Sequence, residues 1–61
     1  MPNLSAKELT ALGEQLDLEQ MLVAKFQAMS NQTTDPQIKQ KLSDIANKHQ
    51  CHYDQLKVFL S

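Results

Sequence analysis

Two histidines, His49 and His52, are the residues of this chain best suited to chemistry, because they lie three residues apart in a segment with a helical pattern. In that segment, apolar or aromatic side chains recur at alternating intervals of four and three, the repeat that keeps one helix face against a partner. The repeat runs through Ile38, Leu42, Ile45, His49, His52, Leu56 and Phe59. The pattern therefore predicts two buried imidazoles, and each needs a hydrogen bond, a charge or a metal, since an unpaired buried polar group costs about 1–3 kcal/mol.

A carboxylate to face these histidines comes from the first half of the chain. A second repeat runs through Leu9, Leu12, Leu16, Glu19, Val23 and Phe26, and Glu19 is its one acidic member. If the two segments form helices folded back near Gln32, Glu19 lies opposite Ala46, one helical turn from His49. Glu19, His49 and His52 are then a candidate ligand set. Imidazole with carboxylate suits iron, zinc or manganese, and four-helix bundles hold metal sites built from facing helices.

The same three residues also have simpler explanations. A polar residue in a helix seam often only fixes the register or completes a hydrogen-bonded pair, so Glu19 and the histidines form either a metal site or a structural network. A seam that is wet near the bundle end is a third alternative. The sequence leaves these alternatives open, and no serine or cysteine has the arrangement of an activated nucleophile.

The elements that position these residues are two helices. Ser5 with Glu8 predicts a capping box at the first helix start, and Asp35-Pro36 predicts an N-cap and first helical position for the second. The polar run that begins at Ser30 breaks the helical pattern and predicts that the first helix ends there. We expect one helical-hairpin domain over residues 1–61, with a helix over about 5–30, a loop over about 31–34 and a helix over about 35–60.

The hairpin is too small to cover its own apolar surface. A chain of 61 residues buries only about 60 % of its unfolded surface. An additional stripe widens the apolar face of the first helix through Ala11, Leu18, Leu22 and Met29. We therefore expect a homodimer that forms a four-helix bundle about a two-fold axis. Gly13, the one glycine, suggests a close helix contact.

Composition narrows the function. The net charge is −1 and all six basic residues are lysine. Nucleic-acid binding is therefore disfavoured, because arginine is the residue that makes bidentate hydrogen bonds to phosphate and guanine. The amphipathic helices are accounted for by the hairpin and its dimer partner, so no membrane partner is expected. The chain has no secretion signal pattern and one cysteine, Cys51, which lies about 200° around the helix from His49 and is predicted to be a surface thiol. The expected compartment is the cytoplasm.

Three stretches of the sequence resemble the small spore coat protein F family of endospore-forming bacteria. They are Leu18 to Phe26, Thr34 to Ile38, and the paired histidines with their flanks over His49 to Leu56. The resemblance covers nearly the whole chain. It implies a ferritin-like bundle and a structural, non-catalytic part in the spore coat, in contact with other coat proteins.

The resemblance also carries a departure from the ferritin-like metal pattern. That pattern supplies a glutamate from one helix and Glu-x-x-His from the next. By position, Glu19 matches the glutamate and His52 the histidine, but His49 stands where the bridging glutamate belongs. A di-iron oxidase is therefore not expected, and the chain is predicted to be no enzyme. A metal-binding ferritin-like protein, with minimal redox activity at most, is the alternative to the structural role.

Overall fold

The computed structural model describes residues 4–60 and consists of two helices packed side by side. Helix α1 spans Ala6–Gln32, helix α2 spans Pro36–Lys57, and a 3-10 turn over Val58–Leu60 follows directly. Ser30 lies beside Lys39 while Glu19 lies beside His49, so the helices run antiparallel. The predicted all-α hairpin is confirmed, and residues 4–60 include no strand.

Both predicted helix starts are present. At the start of α1 the Glu8 amide donates to Ser5 Oγ at 3.1 Å, and the Ser5 amide donates to Glu8 Oε1 at 3.0 Å. At the start of α2 the carboxylate of Asp35 accepts from the amides of Gln37 and Ile38, and proline occupies the first turn. These bonds satisfy amides that have no partner within their helix, and they fix where each helix begins.

Helix α1 ends two residues beyond its predicted end. The sequence predicts an end near residue 30, whereas the helix continues to Gln32 and Ser30 is one of its buried residues. Its hydroxyl lies 2.9 Å from Ser43 Oγ and donates to the Lys39 carbonyl at 3.1 Å, while Lys39 Nζ donates to the Ser30 carbonyl at 3.0 Å. These contacts with α2 satisfy polar groups that would otherwise favour a loop. The connection is therefore shorter than predicted.

The contact between the helices is thin. Among the described residues only Leu16 and Ala46 are buried hydrophobic side chains, and Glu19 and Ser30 are buried beside them. Half-buried side chains complete the contact at Leu12, Val23 and Phe26 of α1 and at Leu42, His49, Tyr53 and Leu56 of α2. No large side chain in the described part is fully buried. The hairpin is one layer of helices, whereas a stable domain usually packs two.

Helix α2 is rotated relative to the predicted seam. Ala46, which is outside the predicted repeat, is its most buried residue, while Ile38, His52 and Phe59 are exposed. The prediction that both histidines are buried is thus wrong for His52. The apolar stripe of α2 is wider than its contact with α1, so one edge of the stripe packs and the other is left open.

Two further expectations have structural outcomes. A methyl group added at Gly13 meets no atom within 4 Å, so Gly13 makes no close helix contact in the hairpin. Neither α1 nor α2 combines the length and apolar character that a bilayer-spanning helix requires.

Candidate functional site

The carboxylate of Glu19 is the centre of the candidate site. Glu19 is 4 % exposed and lies on the side of α1 that contacts α2. Its Oε1 is 2.7 Å from Nδ1 of His49, and its Oε2 is 3.2 Å from Nδ1 of His52. One buried carboxylate therefore holds two imidazoles from the opposite helix, which confirms that the hairpin brings the three predicted residues together.

Packing orients the first imidazole. The ring of His49 lies nearly parallel to the ring of Phe26, with centroids 5.9 Å apart and planes inclined by 11°. On its other side the ring of His52 approaches edge-on, at 5.6 Å and 86°. The His49 side chain is 23 % exposed. Ring contacts of this kind favour one orientation of the imidazole, so Nδ1 is held toward Glu19.

The second imidazole is the open side of the site. The His52 side chain is 54 % exposed, more than twice the exposure of His49. The spacing of three residues places His52 next to His49 on the helix surface, but farther from the line of contact with α1. Solvent and small solutes therefore reach the cluster from the His52 side, whereas the buried side chain of Glu19 closes it on the side of α1.

Hydrogen bonding already compensates the buried carboxylate. Moving a carboxylate out of water is costly unless it is paired and hydrogen-bonded. In residues 4–60 every buried side-chain nitrogen or oxygen has a hydrogen-bond partner. The Glu19–His49 bond supplies that partner here. The cluster is therefore complete as a hydrogen-bonded structural network. Which nitrogen of each imidazole carries a proton depends on the tautomer and charge of the ring.

The cluster also matches the requirements of a metal site. One potential ligand atom from each of Glu19, His49 and His52 lies within 4.8 Å of the others. In a tetrahedral site with bonds of about 2.0–2.2 Å, neighbouring ligand atoms are roughly 3.3 Å apart. The 3.2 Å between Glu19 Oε2 and His52 Nδ1 is close to that value, whereas the 2.7 Å between Glu19 Oε1 and His49 Nδ1 is a hydrogen-bond distance that an ion would have to lengthen. The three donors are thus near enough to one another to be candidate ligands of one ion.

Two neighbouring residues lie outside the cluster. Cys51 is exposed with a free thiol, which agrees with its prediction as a surface residue. Tyr53 is half-buried, and Lys57 Nζ lies 5.8 Å from the centre of its ring. Tyr53 is thus a boundary aromatic residue and is not in the Glu19 cluster.

The sequence reasoning missed the contact of Ser30 with Ser43 and Lys39 at the other end of the hairpin. A short connection places Ser30 opposite Lys39 and Ser43, so the contact could have been predicted from the register of the two helices. The group carries no acidic or imidazole ligand, and its hydrogen bonds join the two helices next to the turn.

Comparison of the chain with protein-family models, with curated proteins and with solved structures gave no match.

Proposed function

We propose that the hairpin is a metal-binding protein that holds one divalent transition-metal ion through Glu19, His49 and His52. The observation that carries the proposal is the convergence of two imidazoles from α2 on one buried carboxylate from α1. Two helices contribute to the site, so an ion bound there also ties them together. Metal affinity then adds to the stability of a hairpin with a small core.

The donor types define the class of ion. Two imidazoles and one carboxylate suit zinc, iron or manganese better than magnesium or calcium, which prefer oxygen ligands. Three protein ligands leave at least one coordination position open, and the exposed side of His52 gives that position access to solvent. The cluster contains one carboxylate, so it has no second acidic group to bridge a pair of ions.

The experiment that tests the proposal is native mass spectrometry of metal-stripped protein after addition of Zn²⁺ or Co²⁺. We expect one ion per chain, Co²⁺ absorption bands typical of nitrogen and oxygen ligands, and a higher melting temperature with metal than with chelator. His49→Ala and Glu19→Gln should abolish the bound ion. The control is Glu14→Gln, since Glu14 is an exposed carboxylate of α1 outside the cluster.

Two results would contradict metal binding at this site. The first is wild-type protein that binds no ion at a tenfold excess of metal over protein. The second is an equal number of bound ions in the wild type and in His49→Ala. Comparison with Glu14→Gln separates binding at the cluster from binding at surface carboxylates.

The second candidate function is a non-catalytic structural role of the kind that the spore coat resemblance implies. The observation that favours it is that the Glu19 cluster is already hydrogen-bonded as it stands. The protein would then be made in the cytoplasm and assembled with other coat proteins, and the cluster would fix the register of the hairpin. In that case chelator leaves the melting temperature unchanged, and replacing His49 and His52 leaves the metal content at zero.

A further inference from the structure

We infer that a second copy of this chain packs on one face of the hairpin, called here the apolar face. It consists of Leu18, Leu22 and Met29 of α1, Ile38 and Ile45 of α2, and Phe59 of the 3-10 turn that follows α2. Four of these side chains, Leu18, Met29, Ile38 and Phe59, are between 39 % and 51 % exposed. The inference does not rest on metal binding, because none of these six residues is a ligand of the proposed site.

Helix geometry places these residues on the same side of the hairpin. At 100° per residue, the three members from α1 lie roughly 80–120° from the mean direction of the α1 residues that contact α2, and Ile38 and Ile45 lie roughly 40–60° from the corresponding direction of α2. Because the helices are antiparallel, the same sense of rotation on both brings the two stripes to one side. The opposite side carries Gln20, Gln27, Asn47 and Asp54, which are all exposed and polar. The hairpin thus has one mainly apolar side and one mainly polar side, on which Leu9 is an exposed large hydrophobic residue.

The exposed area of the chain is consistent with a missing partner about as large as a second copy. The chain exposes 4714 Å², whereas a folded monomer of 6.9 kDa is expected to expose about 4000 Å². The difference of roughly 700 Å² is close to the area of about 800 Å² that each partner buries in a standard stable interface. The radius of gyration is 14.3 Å, against about 10.5 Å for a compact chain of this length.

A second copy is the partner that fits this face. The molecule is 46 Å long, and the two stripes of the face belong to two antiparallel helices, so another hairpin covers both stripes along their length. A two-fold dimer of hairpins produces a four-helix bundle, a common closed solution for such elements. A single partner helix would leave one stripe open.

A two-fold dimer can place α1 of one copy over either α1 or α2 of the other. Charge favours one of these two arrangements. Helix α1 carries four acidic residues and two lysines, for a net charge of −2, while α2 carries four lysines and two aspartates, for a net charge of +2. Attraction is greatest when α1 of one copy lies over α2 of the other. That arrangement requires a two-fold axis along the helices, which places both connecting turns at the same end of the bundle.

The arrangement has a consequence for the candidate site. His52 lies on α2 between Ile45 and Phe59, on the edge that turns toward the apolar face. A second copy therefore covers the open side of the Glu19 cluster, so the solvent access described for that side is a property of the single hairpin. With the turns at one end, the clusters of the two copies lie at the same height in the bundle and face each other across the interface.

The mass of the metal-stripped chain in solution, measured by sedimentation equilibrium, tests the apolar face. We expect a dimer, and we expect Leu18→Glu and Ile38→Glu to weaken it by more than about tenfold, because each places a charge in a dry interface. Gln20→Glu and Asn47→Glu add the same charge on the polar side and should leave the dimer intact. Circular dichroism checks that each variant is still helical.

Pulsed electron paramagnetic resonance on a spin-labelled chain tests the arrangement of the two copies without altering a residue of the apolar face. In a Cys51→Ser background, a label at Thr34→Cys in the turn should give a distance of about 10–20 Å between copies, as expected for neighbouring helix ends. A distance near the 46 Å length of the molecule would overturn the shared-end arrangement. A monomeric wild type at 100 µM, or loss of the dimer only in the polar-side variants, would overturn the apolar-face interface. Neither outcome bears on the metal stoichiometry per chain.

Discussion

At the scale of single residues, the pairing of Glu19 with His49 determines what a substitution costs. We expect His49→Leu to lower the free energy of unfolding by about 1–3 kcal/mol in metal-free protein, because it leaves one oxygen of a buried carboxylate without its partner. The double variant Glu19→Leu with His49→Leu should recover part of that loss, since it removes both polar groups at once. Urea unfolding at a fixed protein concentration measures each variant.

His52 supplies the matched control for that comparison. Its side chain is 54 % exposed, and in His52→Leu the carboxylate keeps its 2.7 Å contact with His49. We therefore expect a smaller loss for His52→Leu than for His49→Leu. Equal stability of His49→Leu and the wild type would show that Glu19 finds another partner, and it would remove the structural importance assigned to the pair.

The contact of Glu19 with His49 could be predicted from the sequence, whereas the exposure of His52 could not. The contact follows from the register of an antiparallel hairpin with a short turn, and the helix caps fix that register. Exposure depends on how far α2 turns about its own axis. The sequence pattern leaves that rotation undecided, because the small residue Ala46 and the neighbouring repeat through Ile45 and His52 both offer a surface for α1.

At the scale of elements, the helix starts were the most predictable feature of the fold. The capping box of Ser5 with Glu8 and the N-cap of Asp35 depend on contacts within three residues, so the local sequence contains all the participants. The end of α1 was less predictable. It depends on Lys39 and Ser43 of the other helix, which satisfy Ser30 only after the hairpin has formed.

The capping box gives α1 a pH-dependent contribution to stability. The backbone and side-chain hydrogen bonds between Ser5 and Glu8 lower the pKa of Glu8 below its ordinary value of 4.5. A lowered pKa in the folded state means that the contribution is fully present above 4.5 and is lost as the pH falls through the folded-state pKa. We expect Glu8→Gln to be less stable than the wild type at pH 7, and we expect the difference to shrink as the pH falls below 4.5.

Thermal unfolding of both proteins between pH 3 and pH 7 measures this difference. Glutamine keeps the shape and the hydrogen-bonding ability of the box but has no charge to titrate. Asp54→Asn is the control, because Asp54 accepts a hydrogen bond from Gln50 on the surface of α2 and takes no part in a helix cap. A difference between Glu8→Gln and the wild type that stays constant from pH 7 to pH 3 would contradict the assignment.

At the scale of the whole molecule, the hairpin has the character of half a bundle. Its helices bury two hydrophobic side chains between them, while eight large hydrophobic side chains in the described part are exposed. Such a chain is stabilised mainly by what it binds, which is the common theme of the two proposals. In the first proposal a bound metal ion would join the helices within one copy, and in the second another copy would cover the side on which that ion would be exposed.

Gly13 distinguishes the two sides of the hairpin. It lies on the same side of α1 as Gln20, and an added methyl group meets no atom within 4 Å. Alanine is favoured over glycine in a helix by about 1 kcal/mol, so Gly13→Ala should raise the free energy of unfolding by about that amount and leave the dimer intact. Ala24→Gly, at an exposed position of the same helix, should lose a similar amount. If Gly13→Ala instead weakened the dimer, a second copy would have to approach closely at Gly13, and the interface would lie on the polar side of the hairpin.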